Sequence, residues 1–313
     1  MPTPVLVFGA TGGVGSACAR HAQSLGASVT LAVRDTEKPI PGLSPEQEKA
    51  GGYKRVQADL MRPETVSEAV KQSGAKHAFV YLVFPIPGQP DPNRAAFKAL
   101  RAAGVEFVVF LSSLSVEMYE PVDSVPAQEI IPYAHAQAEL ALEEIFGKSG
   151  YVSLRPGGFA SNLFRSAGMV KAGSVKMPYP EVKFDWIVPE DIGRAGGTIL
   201  VGGPSSTGGE KSILLCGPEL ISQGNAVKTI GRVLGKEVAV EAVGDEEAVK
   251  DMVAGGLPGP LANYLVKALK HPGVMETLFA SNKYKVAVEN VRKYAGKATT
   301  LVEWATENKV AFE

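Results

Sequence analysis

Short apolar runs recur along the first half of the chain, and between them lie stretches with helical periodicity. Val5–Phe8 breaks at Gly9-Ala10-Thr11-Gly12-Gly13-Val14-Gly15, and Ser16–Leu25 then reads as a helix closed by Gly26. Strands are predicted at Val29–Val33, Lys54–Gln57, His77–Phe84, Glu106–Leu111 and Val152–Arg155, with helices at Pro63–Gln72, Arg94–Ala103 and Ala134–Phe146 between them. These strands are continuous apolar runs, so both of their faces must be covered. That is the pattern of a doubly wound α/β fold, a Rossmann-type parallel sheet between helical layers.

Beyond Pro156 the alternation loosens. Glu190–Leu200 reads as a helix, Ile213–Cys216 as one more buried strand, and the remainder as mostly helical. This order predicts a dinucleotide-binding domain over 1–156, rejoined by 189–218. A smaller, mostly helical substrate-binding region, 157–188 and 219–313, then lies over the carboxyl edge of the sheet, where such folds bind ligands.

Composition narrows the function classes. Thirty-two Lys and Arg face 33 Asp and Glu, so the cationic surface of a nucleic-acid or anionic-membrane binder is missing. The two cysteines, Cys18 and Cys216, have no neighbours suited to a metal or CxxC redox site, and neither a disulfide framework nor a metal site is expected. No basic leader or long apolar span is apparent, which predicts a soluble cytoplasmic protein acting on a small, apolar molecule.

The glycine loop carries the chemistry. Between a strand and a helix, Gly9, Thr11, Gly12, Gly13, Val14 and Gly15 bring backbone N–H groups and the positive helix end to a pyrophosphate without side-chain obstruction. No Gly-Lys-Ser/Thr follows, so it is not a P-loop. After the second strand come Arg34 and then Asp35, the first suited to the 2′-phosphate of NADP(H), the second to the ribose hydroxyl of NAD(H). The first position past the strand and the planar guanidinium favour NADP(H). Asp59 ends the third strand at the same edge, where it either accepts from the adenine amino group or caps the Pro63 helix.

In these motifs the chain resembles the NmrA-like group of atypical short-chain dehydrogenases. The resemblance is carried by Gly9–Gly15, Arg34-Asp35, Ala58-Asp59-Leu60, Phe110-Leu111-Ser112-Ser113, Leu154-Arg155-Pro156-Gly157-Gly158-Phe159 with Asn162, and Phe184-Asp185-Trp186 followed by Pro189-Glu190-Asp191-Ile192-Gly193. The tail, Thr300-Leu301-Val302-Glu303-Trp304 with Asn308-Lys309, resembles fungal festuclavine dehydrogenase-type iminium reductases. The resemblance implies NADP binding, with Leu60, Phe84, Ser112 and Gln137 completing the cofactor contacts, and no metal. Leu114, Phe159, Asn162 and Trp186 are expected beside the substrate.

One departure matters. The wider superfamily uses a Tyr-x-x-x-Lys pair, whereas this chain reads Tyr133-Ala134-His135-Ala136-Gln137. Glutamine supplies no positive charge, so Tyr133, the candidate catalytic residue, lacks that cause of activation. Ser113 and Ser115 are the hydroxyls nearest the superfamily's serine position. An iminium or conjugated acceptor brings its own electron demand and needs less acid catalysis than a ketone. The expected function is an NADPH-dependent oxidoreductase of an apolar, nitrogen-containing or conjugated specialised metabolite, including cofactor-assisted ring formation. The alternative is an NmrA-type sensor that binds NADP(H) and a protein partner without turnover.

Other features read as structural. Lys267, Lys270 and His271 mark a helix end, Asp245-Glu246-Glu247 an acidic first turn, and His21 and His77 have no nucleophile or carboxylate at useful spacing.

Overall fold

Helices cover both faces of the predicted strands, and Val5 to Phe8 are all buried. The computed structural model describes residues 2–85 and 88–313. The first half runs β1 (Pro4–Phe8), α1 (Gly13–Ser24), β2 (Ser28–Val33), α2 (Pro45–Ala50), β3 (Lys54–Gln57), α3 (Pro63–Ser73), β4 (His77–Tyr81), α4 (Pro92–Ala103), β5 (Phe107–Leu111), α5 (Ile130–Phe146) and β6 (Tyr151–Pro156). There follow α6 (Ala167–Ala172), β7 (Ser174–Met177), β8 (Lys183–Phe184), α7 (Pro189–Gly202), β9 (Ser212–Leu215), β10 (Ile221–Ser222) and α8 (Gln223–Val233). The chain ends with β11 (Ala239–Ala242), α9 (Asp245–Ala254), α10 (Gly259–Lys270), α11 (Gly273–Ala280), α12 (Asn282–Ala295) and α13 (Leu301–Glu307).

Among the described residues, seven strands form one parallel sheet in the order β3-β2-β1-β4-β5-β6-β9. The order reverses between β1 and β4, and this switch point opens the crevice in which the Gly9 loop lies. The late strand predicted at Ile213–Cys216 is β9, which joins the sheet beside β6.

One face of the sheet packs on α1, α7 and α12, the other on α3, α4 and α5. Glycines bring α7 against α1. A Cβ on Gly193 would stand 2.4 Å from the Ala17 Cβ, and one on Gly197 2.9 Å from the Cys18 carbonyl oxygen. Residues outside the sheet layers, from 160–188, 226–238 and 301–312, form a cap with a core of its own, in which Leu163, Val175, Trp186, Ile230, Trp304 and Phe312 meet. Two small sheets, antiparallel β8–β10 and parallel β7–β11, tie residues 174–184 to 221–242. Val291, Tyr294 and Ala295 of α12 belong to the sheet's core, so this helix serves the sheet layer as well as the cap. No helix among the described residues is long and apolar enough to cross a membrane.

Several boundaries differ from those predicted. β4 ends at Tyr81, not Phe84, because the Asn93 side chain binds both the N–H (2.9 Å) and the carbonyl (2.8 Å) of Val83 and draws the chain out of the sheet. α5 begins at Ile130, four residues before the predicted Ala134, and α1 begins inside the glycine loop at Gly13. The unpredicted α2 is a surface turn set by a Ser44/Gln47 capping box and buries no residue.

Candidate functional site

The glycine loop has the geometry of an anion cradle. Gly9 has φ +72°, and a Cβ there would come 2.9 Å from the Tyr81 ring. Its carbonyl accepts from the Gly12 N–H at 2.9 Å, and a Cβ on Gly15 would stand 2.3 Å from that carbonyl oxygen. Gly12 caps α1 without a side-chain bond, and no acidic residue occupies the first turn. The N–H groups of Gly13, Val14 and Gly15 thus have no intrahelical acceptor, and they project from a positive helix end. A dinucleotide pyrophosphate fits this cradle.

Arg34, Asp59 and Tyr81 converge beside it. Burial raises the Tyr81 phenol pKa, with the Arg34 charge opposing and the Asp59 charge adding. Arg34 is exposed, and its guanidinium has no ion-pair partner among the described residues. Asp35 instead accepts from the Glu37 N–H at 2.9 Å, which commits it to the turn. Asp59 is half-buried and accepts from the Met61 N–H. It does not cap the Pro63 helix, since the N-cap is Arg62. Leu60 is buried, and Phe84 stands 46% exposed at the same edge, edge-on to His135.

Tyr133 and Gln137 lie one turn apart on the first half of α5, both half-buried. Tyr133 packs with Val116, Val125, Tyr119 and Val122, and no lysine occurs on this helix. His135, left open by the sequence, is held between Phe84 and Phe110 and bonds the Ile131 carbonyl through Nδ1 at 2.8 Å. Burial, the largest influence, lowers its pKa and keeps the ring neutral near pH 7. Ser113 and Ser115 share a hydrogen bond of 2.8 Å beyond β5.

Three expected contacts lie elsewhere. The Ser112 hydroxyl, expected at the cofactor, points inward and donates to Glu139. Leu114 is 1% exposed under Leu278, Phe279 and Val288, which cover it with the α11–α12 layer. Trp186 is 5% exposed, and its indole donates to the Ile221 carbonyl at 2.8 Å, so it holds the cap core together. Phe159 remains half-buried against the sheet core, and Asn162 is exposed at the cap edge.

Two buried polar groups were not singled out as site residues. Arg155 grips Glu139 with Nε (3.1 Å) and Nη2 (2.6 Å), and Glu117 with Nη1 (2.6 Å), while Lys283 reaches Glu117 from α12 at 2.8 Å. The network ties β6, α5, the 3₁₀ turn Leu114–Met118 and the cap beneath the carboxyl edge. A charge inside the apolar run Val152–Arg155 was its signal in the sequence, because a buried guanidinium requires carboxylate partners. Asp185, 1% exposed, accepts from the Gly158 N–H (2.7 Å) and the Gly217 N–H (2.9 Å) and so joins the loops after β6 and β9. Burial pushes its carboxyl pKa up to about 6. A Cβ on Gly157 would lie 2.2 Å from this carboxylate, and one on Gly158 2.9 Å from the Phe184 ring, which accounts for the glycine pair after Pro156.

The sequence profile of the NAD(P)H-binding family matches residues 9–178. The chain is 36% identical to the nitrogen metabolite regulation-like protein bik4 of Gibberella fujikuroi, over 96% of this chain and 95% of that one. It is 27% identical to the (4-alkanoyl-5-oxo-2,5-dihydrofuran-3-yl)methyl phosphate reductase of Streptomyces griseus, over 98% and 99% of the two chains. In fold it matches the NADPH-dependent quinone oxidoreductase QOR2 of Escherichia coli, crystallised with NADPH, with TM-score 0.72 and 20% identity over 97% of this chain and 99% of the other. The chain thus belongs to the NAD(P)H-binding family, among the NmrA-like atypical short-chain dehydrogenases, and NAD(P)H is its cofactor.

Proposed function

We propose that this protein is an NADPH-dependent reductase of an apolar substrate whose acceptor is already electron-demanding, a conjugated carbonyl or an iminium ion. The carrying observation is the pairing of an unobstructed dinucleotide cradle with an α5 that has Tyr133 and Gln137 but no lysine. In this reading Gly9 to Gly15 hold the pyrophosphate, Arg34 the 2′-phosphate, Asp59 and Leu60 the adenine end, and Phe84 and Gln137 the nicotinamide half. The engagement of Asp35 in its own turn supports the phosphorylated cofactor. When bound, NADPH supplies two electrons as a hydride.

The chain's own residues orient and exclude. Phe159 and the cap offer apolar walls, and Tyr133 and the Ser113–Ser115 pair offer hydroxyls for a polar substrate atom. Without a lysine on α5, no neighbouring cation on that helix activates Tyr133, so the reaction must not depend on rapid proton delivery. The relative from Streptomyces, named a reductase of an unsaturated furanone, supports a conjugated acceptor. The iminium alternative rests on the missing lysine, since the tail residues that resemble iminium reductases have structural roles. Thr300 and Glu303 form a capping box, and Leu301 and Trp304 are buried in the cap core.

The test is NADPH consumption with a quinone, a cyclic enone, a cyclic iminium ion and a simple ketone. The proposal expects turnover of at least one of the first three and none of the ketone. Turnover of the ketone alone would refute it. Product formed without net NADPH loss would indicate cofactor-assisted ring formation. The name of the bik4 relative favours one second reading, a cofactor-binding regulator. Tight NADPH binding with no consumption of any acceptor would select it.

A further inference from the structure

Tyr81 is the last residue of β4, at the switch point of the sheet, and its ring touches the glycine loop. Val7 pairs with Phe79 on one side of β1 and Phe8 with Ala32 on the other, so Gly9 lies level with Tyr81 of β4 and Val33 of β2. A Cβ on Gly9 would meet the Tyr81 ring at Cδ1 (2.9 Å) and Cε1 (3.0 Å), well before Cγ (3.8 Å). The side edge of the ring therefore rests on Gly9, and the hydroxyl carries on past it, away from its own strand. Tyr81 also packs against the layer that holds Ala58 and Leu60, at the end of β3. Arg34 follows Val33 directly, and its carbonyl accepts from the Gln57 side chain of β3 at 3.2 Å. The Tyr81 hydroxyl makes no hydrogen bond among the described residues, and Arg34 and Asp59 are the charges that act on it.

We propose that Tyr81 is a specificity-determining residue of the cofactor site, its hydroxyl donating to the 2′-phosphate of NADP(H) beside the Arg34 guanidinium. The adenosine ribose has to cross the stretch between the glycine cradle and Arg34, and the Tyr81 hydroxyl opens onto that stretch. An O–H donated to a phosphate dianion is charge-assisted and roughly twice as strong as one donated to a neutral hydroxyl, so the phenol favours the phosphorylated cofactor. The two residues divide the work. Arg34, exposed beyond β2, supplies charge, and half-buried Tyr81 supplies a donor whose direction its contact with Gly9 fixes. A tyrosine that served packing alone would need only its ring. The inference rests on the reading of Arg34 as the 2′-phosphate contact and does not depend on which acceptor is reduced.

The test uses two probes that differ only in the 2′-phosphate, adenosine 2′,5′-bisphosphate and adenosine 5′-monophosphate, titrated into the protein by calorimetry. The native protein is expected to bind the bisphosphate tighter. Tyr81→Phe, which keeps the ring on Gly9, is expected to weaken the bisphosphate by about tenfold and the monophosphate by less than about twofold. A melting curve of each variant verifies that it is folded. Bisphosphate binding unchanged by Tyr81→Phe would overturn the assignment. So would a loss shared equally by both probes, which would put the hydroxyl on the ribose or adenine common to them. Equal binding of the two probes by the native protein would overturn Tyr81 and the Arg34 reading together, whereas a preference lost in Arg34→Ala and kept in Tyr81→Phe would overturn Tyr81 alone. No acceptor takes part in these titrations, so the reductase reading stands or falls on its own assay.

Discussion

Replacing Asp185 with asparagine isolates the proton equilibrium of the carboxyl group that joins the loops after β6 and β9. In the native protein burial is the largest influence on this group, and the N–H groups of Gly158 and Gly217 and the Cys216 thiol oppose it without cancelling it. The pKa therefore rises from its ordinary 3.8 to about 6. Between these values the unfolded chain releases the proton and the folded chain keeps it, so stability falls as pH rises. The contribution is complete below pH 3.8 and lost by about pH 6; at about 1.4 kcal/mol per pH unit, it is on the order of 3 kcal/mol. Asparagine has the same shape and does not titrate, but its amide turns one donor toward a backbone N–H, a roughly constant loss of about 1–3 kcal/mol. Urea unfolding of both proteins from pH 4 to 7.5 should give a stability difference, native minus variant, that shrinks by about 2–2.5 kcal/mol, most of it below pH 6, and is level above about pH 7. A difference independent of pH, or one that grows with pH, would refute the reasoning, the latter by showing that the backbone donors outweigh burial.

Gly15→Ala places a methyl group 2.3 Å from the Gly9 carbonyl oxygen, and it should lower the melting temperature and weaken NADPH binding by more than about tenfold. Unchanged binding would show that the loop does not carry the pyrophosphate. Arg34→Ala should weaken NADPH by about tenfold and leave NADH unaffected, as read by fluorescence titration. Tyr133→Phe should retain turnover within about a factor of ten, whereas a true general acid would cost roughly 10²–10⁴-fold. Glu139→Ala leaves the buried Arg155 with one carboxylate and the Ser112 hydroxyl without its acceptor, and it should cost about 3–5 kcal/mol in denaturant unfolding.

The sheet was legible in the sequence because its signals are local. Continuous apolar runs such as Val5–Phe8 and Val29–Val33 demand two covered faces, and the glycine loop lies between adjacent elements in the chain. What was hidden depends on partners distant in sequence. The strand reading carried β4 on to Phe84 because Leu82 and Val83 are apolar; the Asn93 side chain that draws them out lies ten residues on. Trp186 and Leu114 follow motifs at the cleft, yet Ile221 and the α11–α12 layer enclose them. Ser112 looked available, but Glu139 of α5, itself held by Arg155 of β6, takes its hydroxyl. The strand, glycine turn and helix at the start of the chain could therefore be anticipated from adjacent residues, while the surroundings of Ser112, Leu114 and Trp186, set by segments distant in sequence, could not.

Calorimetric titration of the protein with NADPH, NADP+, NADH and NAD+, followed by acceptor-dependent oxidation of the bound NADPH, tests the central claim most directly. Binding of the phosphorylated forms tighter by about tenfold, worth about 1.4 kcal/mol, and oxidation of NADPH on adding a conjugated or iminium acceptor are the predicted results. Failure of all four nucleotides to bind, or bound NADPH that no acceptor oxidises, would contradict it.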